Sequence, residues 1–289
     1  MAKVSYVAQR TDARLVRMVL PVRKRDTHKG DYGRALLLCA SEGLTGAAML
    51  AARAALRTGA GLVYLGVPEK IYPIVASRAG SEIVFPLPCD EAGRLCLASF
   101  EAICARLENM DAVLYGPGLG RSQELTALTK KLLRECRAPL VLDADGINAV
   151  AGHIDVLRES ACPVILTPHD GEFARLGGNP RANDRVSEAM RISRLTQAVV
   201  LLKGYRTIIT DGLSVYRNTT GNPGMATGGS GDVLSGVIVS LLAQHVMPLE
   251  AAAAGAWLHG SAGDLCAGRL GEYGLLPEDM IEALPRLLK

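Results

Sequence analysis

Short apolar runs punctuate this chain: ALLLCA from Ala35, LVYLGV from Leu62, AVLYG from Ala112, PLVLD from Pro139, PVILT from Pro163 and VVLLK from Val199. They run continuously instead of alternating with polar residues, which predicts strands covered on both faces, as in a parallel sheet. Between them the apolar spacing becomes helical, over Thr45 to Arg57, Ser122 to Cys136 and Asp184 to Thr196. Strand and helix in alternation predict an α/β fold. The rhythm breaks after Arg206, where RTIIT and LSVYR flank Asp211-Gly212. That dipeptide suits a hairpin turn and predicts an antiparallel edge on the sheet. Two or three helices are expected to close the chain: one opening after the glycines at 228 to 231, one running from Glu250 through AAAAGAWLHG, and a last one after Pro277. With no repeat and no low-complexity linker, a single domain is expected over residues 28–289, preceded by a polar lead-in over residues 1–27.

Composition narrows the choice of partners. A chain of 289 residues with 49% hydrophobic content can bury a substantial core. Its 32 basic and 29 acidic residues nearly cancel, leaving +3, so neither nucleic acid nor a membrane is expected as a partner. Seven cysteines, at 39, 89, 96, 104, 136, 162 and 266, form no Cys-x-x-Cys pair and, being odd in number, no closed disulfide set. Cys39, inside LLLCA, reads as a buried free thiol, and a reducing cytoplasm is the expected setting. The first residues are broken by charge, so neither a signal peptide nor a membrane span is expected.

The most informative segment is NTTGNPGMATGGSGDVLSGVI, Asn218 to Ile238. Gly228, Gly229 and Gly231 crowd one short window around Ser230. A packed element tolerates that only where the backbone must approach something closely or adopt positive φ. The helical pattern VLSGVIVSLLAQ follows directly, so this loop is expected to form a helix N-terminus whose unpaired N–H groups and positive dipole receive an anion. Asp232 falls in the first turn of that helix. A carboxylate there can be a plain cap. Beside an anion-binding loop it can also take a proton from a hydroxyl while the loop neutralises a phosphoryl group in transfer. No Gly-x-x-x-x-Gly-Lys-Ser/Thr occurs in the chain, so a P-loop enzyme is not expected.

Weaker signals lie elsewhere. GPGLG from Gly116 follows a strand but lacks the spacing of a dinucleotide fingerprint. In TPHDGE, His169 and Glu172 start a helix at a strand's C-terminal edge, where α/β ligands bind, although Glu172 equally reads as a cap. Two such groups without a third partner do not make a zinc site, and no protein-held metal is expected. Lys203-Gly204-Tyr205-Arg206-Thr207 suits contacts to adenosine or phosphate, or is an ordinary solvated turn. Asp143 and Asp145 in LDADGIN read as magnesium ligands through water, or as caps. Ala47 and Ala48 open a small-residue helix that either admits a ligand to the backbone or packs closely on the sheet.

In this order, HKGDYG, GAAMLAARAALRTGAGLV, GPGLG, TPHDGE, LLKG and NPGMATGGSGDVLSG resemble the blocks of the ADP-dependent NAD(P)H-hydrate dehydratase family, from about His28 to the C-terminus. That family occurs alone or fused to an epimerase domain, and the resemblance covers the dehydratase part alone, implying only that step. It implies a ribokinase-like three-layer sandwich, with a mostly parallel sheet and helices on both faces. It implies that Asp232 contacts and deprotonates the 6-hydroxyl of the hydrated nicotinamide ring. Gly231 and its neighbours would hold phosphates, Lys203 through Thr207 would line the ADP site, and Ala47, Gly118 and His169 would contact the hydrated cofactor. The implied reaction is phosphorylation of the S-form's hydroxyl by ADP and loss of phosphate, giving AMP, phosphate and NADH or NADPH. Magnesium carried by the nucleotide's phosphates and a homotetramer are implied as well. Two positions depart from the family's pattern: Ala40, where a glycine is frequent, and Asp170, where a proline is. A vitamin-precursor kinase of the same fold, acting on hydroxyethylthiazole or a pyrimidine, would use Asp232 and the glycine loop equally. Such kinases tend to show Asn-x-x-Glu where this chain has His169-x-x-Glu172. A non-catalytic nucleotide sensor would have no need of Asp232.

Overall fold

The computed structural model describes residues 6–289. The chain begins with β1 (Ala8–Arg10) and α1 (Ala13–Val19), then β2 (Arg34–Leu38), α2 (Thr45–Thr58), β3 (Leu62–Pro68), α3 (Tyr72–Ala76), β4 (Ile83–Leu87) and α4 (Phe100–Leu107). It continues with β5 (Ala112–Tyr115), α5 (Gln123–Glu135), β6 (Leu140–Leu142), α6 (Asp145–Val150), β7 (Val164–Leu166), α7 (Asp170–Arg175), α8 (Arg185–Thr196) and β8 (Val199–Leu202). A hairpin of β9 (Ile208–Thr210) and β10 (Val215–Arg217) precedes three helices: α9 (Ser230–Ala243), α10 (Pro248–Leu270) and α11 (Pro277–Leu287).

All strands join one ten-stranded sheet in the order β1-β10-β9-β8-β7-β6-β5-β2-β3-β4. From β8 to β4 every neighbouring pair is parallel, whereas β9 runs antiparallel to both of its neighbours. This is an α/β fold with a mostly parallel central sheet. Its two faces follow from the period of two along each strand. Leu36, Leu38, Val113 and Tyr115 share a core with α4 to α8, while Ala35, Leu37, Ala112 and Leu114 face α2, α9, α10 and α11. Both faces are dry, which is why the strands read as unbroken apolar runs. Burying a single leucine of this kind stabilises the fold by about 1.5–3 kcal/mol.

The expected strands and helices form. Ser122 caps α5 by accepting from Leu125 N at 3.0 Å, and Asp184 caps α8 by accepting from Val186 N and Ser187 N, each at 3.1 Å. Asp211 Oδ1 accepts from the amides of Leu213 and Ser214 and closes the hairpin. The hairpin is not the sheet's margin, however, because β1 pairs in parallel with β10 outside it. The stretch expected as a polar lead-in thus supplies a strand and a helix, and Val16 of α1 enters the core. Residues 1–5 of that stretch lie outside the described residues.

Strand order reverses between β5 and β2, whose connections leave in opposite directions. At such a point the loops beyond the strands' carboxyl ends separate and leave a crevice for ligands.

Candidate active site

The carboxyl ends of β6, β7 and β8 open into a cavity of about 970 Å³. Asp143 follows β6, His169 and Glu172 follow β7, and Lys203 follows β8. The opposite wall is the 218–223 loop, the first turn of α9, and Ala256, His259 and Gly260 of α10.

The floor is a charge network. Asp143, 1% exposed, accepts from Lys203 Nζ at 2.9 Å, Thr167 Oγ1 at 2.7 Å and Ser235 Oγ at 2.5 Å. Burial pushes its carboxyl up, but the Lys203 charge and the two hydroxyls outweigh this and hold it below the usual carboxylate range. Burial likewise opposes the Lys203 ammonium. Asp143, and Glu172 at 3.9 Å, more than compensate and raise its proton affinity. Both partners are therefore ionised at neutral pH. One non-glycine residue beside them is strained: Ala144 has φ 47°, in the left-handed region that costs an ordinary residue about 1–3 kcal/mol. That kink turns Asp143 inward while Asp145 heads α6.

Asp232 has the opposite character. Burial, with the Asp143 charge close by, raises its carboxyl to about 7, and Lys203 offsets this only in part. A group poised there can take or hold a proton near neutral pH. It projects from the first turn of α9, whose N-cap Gly229 has φ 93°. A side chain at Gly229 would be strained and would meet Leu50 and Pro277. At Gly231 a Cβ would lie 3.5 Å from Lys203 Nζ, so the bare backbone leaves that space to a ligand. The amides of this turn and the Lys203 ammonium converge, an arrangement suited to a phosphoryl group.

Several expected site residues line the cavity together: His169, Lys203, Gly204, Tyr205, Arg206, Thr207, Gly229, Ser230, Gly231 and Asp232. Gly228 does not line it. Ala47 and Gly118 stand apart at the strand-order reversal, facing each other so closely that a Cβ on Gly118 would lie 3.2 Å from that of Ala47. His169 and Glu172 form the cap of α7: His169 Nδ1 accepts from Gly171 N at 2.9 Å, and Glu172 accepts from His169 N at 2.9 Å. Asp145 accepts from Gly120 N at 2.8 Å and ties the 116–120 turn to α6. Of the two departures, Ala40 has φ 72°, which explains the fit of a glycine there, and Asp170 receives Arg185 at 2.8 Å. Among the described residues no three His, Cys, Asp or Glu side chains are grouped to hold a metal ion.

Sequence reasoning missed three contributors. Ser235, Asn218 and His259 were missed because the partners that bring them to the site, Asp143, Thr11 and Ser230, are far away in the chain. Asn218 Oδ1 accepts from Thr11 Oγ1 at 2.7 Å and Thr220 Oγ1 at 2.9 Å, so the residue that follows β1 braces the cavity wall. His259 Nε2 lies 3.2 Å from Ser230 Oγ. Its burial pulls the imidazole down to about 4, against the backbone of Ser230 and reinforced by Lys203, so the ring is neutral at pH 7.

Comparison with known proteins supplies a context for this geometry. A family profile described as NAD(P)H-hydrate dehydratase matches residues 35–286. The bifunctional NAD(P)H-hydrate repair enzyme of Moorella thermoacetica is 45% identical over 278 residues, 94% of this chain and 52% of its own length. The chain thus spans about half the length of such bifunctional relatives. The ADP-dependent (S)-NAD(P)H-hydrate dehydratase of Neisseria meningitidis is 37% identical over 92% of this chain and 88% of its own. Among solved structures, the ADP/ATP-dependent NAD(P)H-hydrate dehydratase of Bacillus subtilis, co-crystallised with ATP and Mg2+, superposes with a TM-score of 0.85 at 30% identity, covering 98% of each chain.

Proposed function

Because the chain belongs to the NAD(P)H-hydrate dehydratase family, we propose that it dehydrates the S-form of hydrated NADH and NADPH at the expense of ADP, releasing AMP and phosphate. The observation that carries this reading is Asp232, a carboxyl held at about 7 on the first turn of α9 beside Lys203. The hydroxyl of the hydrated ring gives its proton to Asp232 as its oxygen attacks the β-phosphorus of ADP and AMP leaves. Departure of the new phosphate, with loss of the neighbouring ring proton, restores the dihydronicotinamide. The α9 amides and Lys203 stabilise the charge on the transferring group.

Supporting contacts divide along the site. Lys203 to Thr207 and Gly231 serve the nucleotide, and His169, Ala47 and Gly118 serve the hydrated cofactor. Magnesium, when bound, would be held mainly by the nucleotide's phosphates and would neutralise their charge; Asp143, engaged by Lys203, Thr167 and Ser235, would reach it at most through water. We place the protein in the cytoplasm, in keeping with seven free cysteines, and as a homotetramer.

The test is recovery of dihydronicotinamide absorbance from hydrated NADH with magnesium and ADP, against ATP and no-nucleotide controls. ADP-dependent recovery is expected. Asp232→Asn is expected to lower kcat by about 10²–10⁴-fold, the range for a lost general base, while ADP affinity by calorimetry changes little. Loss of ADP affinity in parallel would make Asp232 a capping residue.

A further inference from the structure

The amides of the α9 turn are not the only donors in the phosphate region. Ser230 is 8% exposed and its hydroxyl has a single side-chain partner, His259 Nε2 at 3.2 Å. His259, 9% exposed, comes from α10 and lines the same cavity as Ser230, Gly231 and Asp232. Two arrangements of this bond are available. If the imidazole accepts, the Ser230 hydrogen points into α10 and the oxygen turns lone pairs toward an incoming anion, which repels it. If the imidazole donates, the hydroxyl hydrogen is free to swing into the cavity.

Among the described residues the contact with Ser230 Oγ is the side-chain hydrogen bond of this ring, so the proton on Nε2 sets which way the hydroxyl hydrogen points. With the Lys203 ammonium in the same cavity, a neutral ring is preferred to a cation, so one nitrogen donates and the other does not.

We infer that His259 is a positioning residue: its Nε2–H donates to Ser230 Oγ and aims the Ser230 hydroxyl hydrogen at a phosphoryl oxygen of the bound nucleoside diphosphate. The Ser230 hydroxyl then joins the backbone amides as a donor. This rests on the nucleotide-dependent reading above for its ligand, and it assigns function to a histidine outside the glycine-rich segment.

The test is a double-mutant cycle on the full chain with Ser230→Ala, His259→Phe and the pair, with His259→Ala substituting if circular dichroism shows that the phenylalanine variant does not fold. Two readouts are taken: kcat with hydrated NADH and ADP, and the ADP dissociation constant by calorimetry, which needs no turnover. Ser230→Ala is expected to lower kcat roughly 10²-fold, as removal of one preorganised donor does, and to weaken ADP. Each His259 variant is expected to have a similar effect alone and no further effect in the Ser230→Ala background. His259→Gln, whose amide can donate, is expected to recover part of the loss. Multiplying losses in the double variant, in both readouts, would mean that His259 acts structurally and would overturn the inference. Absence of turnover in the unmodified protein, with the coupling still present in ADP binding, would sink the dehydratase reading and leave this one standing.

Discussion

Asp143 and Asp232 share one cavity but are held in different protonation states, and the difference lies in their partners. Asp143 has an ammonium and two hydroxyls within hydrogen-bonding distance. Asp232 has the Asp143 charge as its neighbour and no comparable set of donors. Like charges in a desolvated site cannot both be ionised cheaply, so the partner supplied with an ammonium and two hydroxyls stays charged and the other gives up its proton only at about 7. Asp143→Ala is therefore expected to destabilise the fold. It strands the Lys203 ammonium in a site that is only 21% open at that side chain, a break that costs about 3–5 kcal/mol for a buried pair. Urea denaturation measures this. A loss below about 1 kcal/mol, the size of one ordinary hydrogen bond, would mean that Lys203 swings to Glu172 and that the Asp143 pair is dispensable.

Helices α2 and α9 carry the site's two halves, Ala47 on one and Asp232 on the other, and they are held together by small residues. A Cβ on Gly236 of α9 would collide with the Ala51 carbonyl of α2 and lie 2.9 Å from Ala54 Cβ. The alanine-rich start of α2 could be read in the sequence either as a ligand entry or as close packing. For Ala48, Ala51 and Ala54 the packing is what is observed. Gly236→Ala is expected to cost about 1–3 kcal/mol by overpacking and to weaken turnover by moving the α9 N-terminus. A variant with unchanged melting temperature would show that the two helices slide apart freely. Elements buried on both faces were legible because their composition is uniform. Strand β4 was not: Pro86 interrupts it and Ile83 is 42% exposed, so it reads as neither strand period. Strand β1 and helix α1 were missed because they carry little apolar signal: β1 is Ala-Gln-Arg with none of the three buried, and α1 buries Val16 alone.

At the scale of the whole molecule, two buried groups give stability opposite slopes against pH. Asp232 keeps its proton in the fold up to about 7, while the unfolded chain loses it near 3.8, so stability falls as pH rises across that window. His259 resists protonation down to about 4, while the unfolded chain takes a proton near 6.5, so stability falls as pH drops across that window. Between about 4 and 6.5 the two oppose each other, and the unmodified protein is expected to show a flat profile. Asp232→Asn removes the first slope. Its melting temperature is expected to gain on the unmodified protein from pH 4 to 7 and to hold that gain above 7; a gain independent of pH would mean that the Asp232 carboxyl is not raised in the fold. The alternation of strand and helix, the hairpin, the glycine-rich helix start and the placing of Asp232 on its first turn were determined by sequence alone, since each rests on neighbours within a few residues. The charge state of Asp232, the pairing of Asp143 with Lys203 across 60 residues and with Ser235 across 92, and the meeting of His259 with Ser230 were decided only by tertiary structure. Proton affinity depends on desolvation and on the charges that folding brings near, and neither exists until the sheet has gathered its loops at one end.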